Sequence, residues 1–203
     1  MNFDAYPIAN LQADLTAVWH VHPACASGVG FERLTSENHL RNFLLWHEED
    51  IARRDDLGFE RVYQAKRAID RYNQQRNNFI EEMDQALVAT MKPLEDGCPK
   101  NSETPGMIID RLSILALKEY HMREEAERPD ADNAHRAACA AKLERIVRQR
   151  ADLTRGLAEL IREVAAGTRS FAVYYQFKMY NDPALNPQLY RGGARQPQDS
   201  PLP

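Results

Sequence analysis

The sequence predicts an all-α protein, a helical bundle of about five helices followed by an extended aromatic C-terminal arm. Three observations predict it. Apolar residues recur at three- and four-residue steps along most of the chain, strand-like alternation appears nowhere at useful length, and only nine of 203 residues are glycine. The breaks between periodic stretches are short, as connections in a bundle are.

A first helix is expected from about Pro7 to Val21, with Ile8, Leu11, Leu15, Val18 and Trp19 on one side. "HPACASGVG" then breaks the pattern with Pro23, Gly28 and Gly30. The second helix is expected from Thr35 or Ser36, both good caps, to about Asp56, where "DDLG" stops it. A third runs from about Phe59 to Met91 and ends before Pro93. Thr104-Pro105 reads as an N-cap with proline at the first helical position, opening a fourth helix that stops at Pro129. A fifth starts near Asp130 or Asp132, repeats Leu143, Ile146, Leu153, Leu157, Leu160 and Val164, and exits at Gly167. The aromatic stretch "FAVYYQFKMYNDPALNPQLY" follows as an arm on the bundle, and residues 191–203 form a tail expected to be disordered. Residues 1–190 thus make one helical domain.

Composition narrows the function classes. With 43% apolar residues, 28% charged residues and a net charge of -4, the chain reads as soluble and globular. Its arginines are interleaved with acids, so no nucleic-acid partner is expected, because phosphate neutralisation needs a clustered basic surface. Cys25, Cys98 and Cys139 are far apart and form no C-x-x-C, which argues against a disulfide framework or a zinc knuckle. The N-terminus lacks a basic stretch followed by an apolar one, and apolar runs fall short of the ~20 residues a membrane span needs. No membrane insertion is expected, and the cytoplasm is the expected location.

Candidate chemistry begins in "NFLLWHEEDIARR", residues Asn42 to Arg54, where a histidine and three acids follow an apolar run. The second and third helices should form an antiparallel hairpin in which facing residue numbers sum to roughly 115, for straight helices. Glu49 then meets Lys66, Asn42 meets Asn73, and His47 comes within reach of Arg67 and Asp70. Lys66, Asp70, Asn73, Asn77, Glu81 and Asp84 form a polar line along the third helix. Asparagines inside a helix are unusual enough to suggest either a solvated face or a polar network between helices.

"HEED" with "EEMD" resembles the paired acidic motifs of all-α nucleotide pyrophosphohydrolases. The hairpin register nevertheless separates the two by roughly 20 Å, too far for one magnesium ion. His47 and Asp50 could enter a di-metal centre, but "E-x-x-H" is absent from a second helix. No metal or cofactor is expected.

"MIIDRLSILALK" in the fourth helix is apolar nearly all round, which marks a helix buried on most sides. Asp110, Arg111, Ser113 and Lys118 interrupt it and must find partners or open onto a cavity. Arg111 and Lys118 share a face about 10 Å apart along the axis, a spacing able to clamp a carboxylate or phosphate. Asp110 and His121 share another face. "IDRLSILALK" resembles the first helix of chorismate mutase, an all-α bundle that binds a dicarboxylate; structural pairing with Glu49, Asp50 or Asp70 is the alternative.

Taken together, "NFLLWHEEDIARR", "AKRAIDRYNQQRNNFIEEMD", "NSETPGMIIDRLSILALKEYHMREEA" and "FKMYNDPALNP" resemble a bacterial family known only as a domain of unknown function, family 4254, over Leu34 to Tyr190. The resemblance implies a setting among glycosyltransferase and cell-surface polysaccharide genes of Gram-negative bacteria. It supplies no reaction, cofactor or catalytic residue. The expected function is binding of an anionic small molecule, a phosphorylated or nucleotide-linked sugar, in a charged cleft between helices. His47 would act as acid or base, with Glu49, Asp50 and Asp70 orienting it. Asn42, Arg53, Lys66, Asn73, Asn77, Asp110, Arg111, Lys118 and His121 would bind ligand. Two alternatives stand beside it: a non-catalytic partner docking onto a glycosyltransferase or a second copy of itself, and a metal-dependent all-α hydrolase.

Overall fold

The computed structural model describes residues 3–177, 179 and 182–190. The tail expected over 191–203 lies outside the described residues, as do positions 178, 180 and 181 of the expected arm. Among the described residues six α-helices follow one another: α1 (Ala5–Trp19), α2 (Gly30–Ile51), α3 (Gly58–Met91), α4 (Pro105–Glu127), α5 (Asn133–Ala165) and the short α6 (Pro187–Tyr190). Among the described residues there is no β-strand, only a single bridge between Lys100 and Ser170. The fold is an all-α bundle.

α4 is the axis of the bundle, packed against α1, α2, α3 and α5. Its all-round apolar character explains this: Ile108, Ile109, Leu112, Ala116 and Leu117 are all buried. Met83 of α3 and Leu157 of α5 complete the centre, each burial stabilising by about 1.5–3 kcal/mol. A second apolar cluster gathers Trp19, Leu40, Phe43 and Leu117 at the other end, with Leu15, Leu44 and Trp46 against it. α2 and α3 form one hairpin and α4 and α5 another.

Local chemistry explains the boundaries. The Asp4 side chain caps α1 by accepting from the Tyr6 N–H at 3.1 Å, so the helix starts before Pro7. α2 starts at Gly30, not at Thr35 or Ser36. Those two are buried inside the helix: the Thr35 hydroxyl donates to the Met83 sulfur, and Ser36 Oγ accepts from the Ser27 N–H at 2.9 Å. Ser36 therefore ties down the preceding loop instead of capping its own helix. α2 ends at Ile51, and a 3-10 turn at Asp55–Leu57 leads to Gly58, whose φ of 78° explains why glycine sits there. Thr104 caps α4 as expected, accepting from the Met107 N–H at 3.2 Å.

Asp84 secures the start of α4 from outside. Its Oδ1 accepts from the Gly106 N–H at 2.7 Å, next to the positive end of that helix. Burial pushes its pKa up to about 6, while the Thr104 hydroxyl and the Gly106 N–H pull it down. A carboxyl with a raised native pKa stabilises the fold fully below its unfolded value of 3.8, and that contribution is lost as pH rises through about 6. Two units correspond to about 3 kcal/mol. Urea titrations of Asp84→Asn and wild type should therefore diverge between pH 4 and 8, the variant gaining as pH rises. Parallel curves would show that Asp84 does not titrate in this window.

In the arm, Phe171 belongs to the core, whereas Tyr174, Tyr175 and Phe177 are exposed. The Gln176 N–H donates to Glu81 Oε1 at 2.8 Å, which holds the arm to α3. Cys25, Cys98 and Cys139 are free thiols. No helix among the described residues is long and apolar enough to cross a membrane.

Candidate functional site

α2 places Asn38, His39 and Asn42 within one turn, against α1 and α4, and all three are fully buried. Their hydrogen bonds have only one consistent direction. The Thr16 hydroxyl spends its proton on the Gln12 carbonyl at 2.8 Å. The His39 Nε2–H must therefore donate to Thr16 Oγ1, 2.9 Å away. That tautomer leaves Nδ1 as an acceptor for the Ser113 hydroxyl at 2.7 Å. Asn42 Nδ2 then donates to Ser113 Oγ and to Asp110 Oδ1, each at 2.9 Å. Burial pushes the His39 pKa down to about 3, the Arg150 charge adding to the effect against the Gln12 backbone. His39 is thus a neutral core histidine that fixes how α1, α2 and α4 meet.

Asp110 joins this chain to an open cleft. Its Oδ1 accepts from Asn38 at 3.0 Å and from Asn42, and Arg76 Nε of α3 lies 3.0 Å from the same oxygen. Arg76 and Asp110 border a cleft of about 620 Å³ with Arg111, Lys118, Gln149 and Asp152, between α3, α4 and α5. Arg111 pairs with Glu103 at the exposed end. Lys118 pairs with no acid among the described residues. A further cleft of about 570 Å³ beside Phe3 and Phe31 carries Asp4, Asp14 and Glu32 as its charges, which repel anions.

His47 is elsewhere. His20, the residue that ends α1, His47 of α2 and His121 of α4 converge near the aromatic end of the core. Ring centroids lie 5.4 Å apart for His20 and His47, 4.9 Å for His20 and His121, and 5.8 Å for His47 and His121. Burial lowers the His47 pKa; the neighbouring His20 and His121 lower it further, against Asp50 and Glu124. These surroundings favour the uncharged imidazole of His47.

The expected single charged cleft is therefore two separate arrangements. Asn42, Asp110, Arg111 and Lys118 belong to the cleft and its buried support. His47 and His121 belong to the imidazole group, where Asp50 is an exposed neighbour. Glu49 pairs with Arg53 just past the end of α2, and Asp70 with Arg67 along α3, on the outer surface. Lys66 is exposed; Asn73 accepts a hydrogen bond from Arg76, and Asn77 is buried on α3. His47 does not turn toward Arg67 and Asp70. Its neighbour Glu48, about 100° around the helix, reaches α3 by pairing with Arg61 at 3.0 Å, so His47 points off that side. Sequence reasoning missed His20, Arg76, Asn38 and His39. The signal was present in part: Asn38-x-x-x-Asn42 repeats the spacing noticed on the third helix, and His39, Phe43 and His47 recur every four residues on one face.

Residues 32–173 match the model of the family described as "Protein of unknown function (DUF4254)". The chain belongs to this family. In this DUF4254 protein the matched span covers α2 to α5 and includes Asn42, His47, Asp110, Lys118 and His121. Gln12, Thr16 and His20 precede it, and "FKMYNDPALNP" lies beyond it. No curated protein and no solved structure matches this chain.

Proposed function

We propose that the chain binds an anionic small molecule, a phosphorylated or nucleotide-linked sugar, in the cleft between α3, α4 and α5, in the cytoplasm and in the service of bacterial envelope polysaccharide biosynthesis. The observation that supports it most is Lys118, a cation on the cleft wall without an acidic partner among the described residues, one face with Arg111. The two charges lie about 10 Å apart along the helix, which suits a ligand with two anionic groups. The Arg111–Glu103 pair is exposed and thus worth at most about 1 kcal/mol, so a phosphate can displace Glu103 at little loss. His47 is not on this wall, and the reading is of binding without an assigned reaction. The sugar component rests on the family's implied setting.

Thermal-shift measurements against sugar phosphates, nucleotide sugars and inorganic phosphate test it. A saturable stabilisation is expected, weakened about tenfold or more by Lys118→Ala and by Arg111→Ala. If no anion stabilises the protein, the reading fails. A dimer seen by light scattering in that case would favour the second reading, docking of a glycosyltransferase or a second copy, to which the exposed Tyr175 and Phe177 lend support.

A further inference from the structure

His20 and His121 each have one ring nitrogen committed and one left over. His20 Nδ1 lies 2.7 Å from the Thr16 carbonyl, which can only accept, so Nδ1 carries the proton. His121 Nδ1 lies 2.9 Å from Glu124 Oε2 and donates to that carboxylate. In the neutral rings each Nε2 is then a bare lone pair, and both are buried without a hydrogen-bond partner among the described residues. Packing holds the rings in place. His20 stacks on Tyr120 at 4.0 Å, His121 stacks on Trp46 at 5.0 Å, and His47 meets Phe43 edge-on at 4.6 Å.

We propose that His20, His47 and His121 bind one divalent transition-metal ion of the zinc class, with the fourth coordination position open. The inference is independent of the anion cleft, with which it shares no residue. Three imidazoles bound tetrahedrally to one zinc ion at about 2.0–2.1 Å have their ring centres about 5 Å apart. The observed separations are 4.9, 5.4 and 5.8 Å, one at that value and two slightly longer. One ligand atom from each residue lies within 4.8 Å of the other two, so binding requires each ring to turn inward by at most about an ångström. The Nδ1 partners are those that ligating histidines use: a backbone carbonyl for His20 and a carboxylate for His121, each fixing the tautomer that leaves Nε2 as the free donor. Imidazole donors select zinc, copper, nickel or iron over magnesium and calcium. Three protein ligands and one vacant position are the donor set of a site that admits water or substrate.

The other grouping of candidate donors, Glu125, His135 and Cys139, lacks these features. There His135 Nε2 is already engaged by Glu125 at 2.9 Å and by the Cys139 sulfur at 3.4 Å. It serves as the control.

The full chain, stripped with a chelator and dialysed, is loaded with Zn²⁺ or Co²⁺, desalted, and its metal content measured. One equivalent per chain is expected, with the intense visible absorption of tetrahedral Co²⁺. His20→Ala and His121→Ala should each retain less than a tenth of an equivalent while far-UV circular dichroism stays helical. Glu124→Gln should weaken affinity about 10–100-fold, and His135→Ala should change nothing. Should either triad variant fail to fold, the other variant and Glu124→Gln still decide. Substoichiometric metal on the folded wild type overturns the proposal, as does binding that follows His135 instead of His20 and His121. The three rings would then be an aromatic packing cluster.

Discussion

Gly106→Ala is expected to lower the stability of the protein by about 3 kcal/mol, although alanine is the better helix former. Gly106 is the second residue of α4, where the helix presses on α3. A Cβ there would sit 2.6 Å from the Ile80 carbonyl oxygen and 2.8 Å from Asp84 Oδ1. The first obstacle is backbone and cannot swing aside. The second is the carboxylate that accepts the Gly106 N–H at 2.7 Å, so moving it breaks the bond that seats the helix. Overpacking costs about 1–3 kcal/mol and a buried donor left without its acceptor a similar amount, against less than about 1 kcal/mol gained in helix propensity. For a chain of this size the melting temperature should fall by roughly 6–12 °C. Gly156 of α5 is the internal control, because a Cβ there meets nothing within 4 Å. Gly156→Ala should stabilise by about 0.5–1 kcal/mol. Two glycine-to-alanine changes in one protein would then have opposite signs. Equal shifts in the same direction would show that α4 does not approach α3 as closely as the geometry requires.

What could be read in the sequence follows from the range of the interactions involved. Helix existence is local: the apolar periodicity of α3 and α5, the Thr104-Pro105 start and the Gly58 turn each depend on residues within a turn or two of one another. The start of α2 could not be read that way. Ser36 has the chemistry of a cap but spends its hydroxyl on Ser27, nine residues back in a loop whose path only the folded chain defines. The polar sites are longer-ranged still. Arg111 and Lys118 share one helix, so their common wall was legible; Arg76, which meets them across Asp110, comes from α3. His20, His47 and His121 come from three helices, and nothing in "WHVH" distinguishes the histidine that turns inward from the exposed His22 two residues on. The sequence marks Asp110 as a buried charge in need of a partner and sets Asn42 opposite Asn73, but does not pair the two with each other. Buried polar groups must be satisfied, yet the rule does not say by whom.

Asp110 carries the largest expected loss. It is 4% exposed and accepts from Asn38 and Asn42 while neutralising Arg76. Asp110→Ala removes the counter-charge of Arg76 and one acceptor from each of Asn38 and Asn42, and breaking a buried pair from one side costs about 3–5 kcal/mol. Asp110→Asn keeps the size and one acceptor oxygen but removes the charge, so its loss should be smaller, about 1–3 kcal/mol. The two measurements on Asp110→Asn should then move in opposite directions. Unfolding in urea should occur at lower denaturant, while anions should bind the cleft more tightly, because Arg76 is released from its counter-charge beside Arg111 and Lys118. Added salt should narrow that gain in affinity, since the freed guanidinium acts through charge. A merely structural Asp110 predicts the first change without the second. Unaltered stability in both variants would contradict the hydrogen bonds from α2 and the ion pair from α3 that meet α4 at this carboxylate.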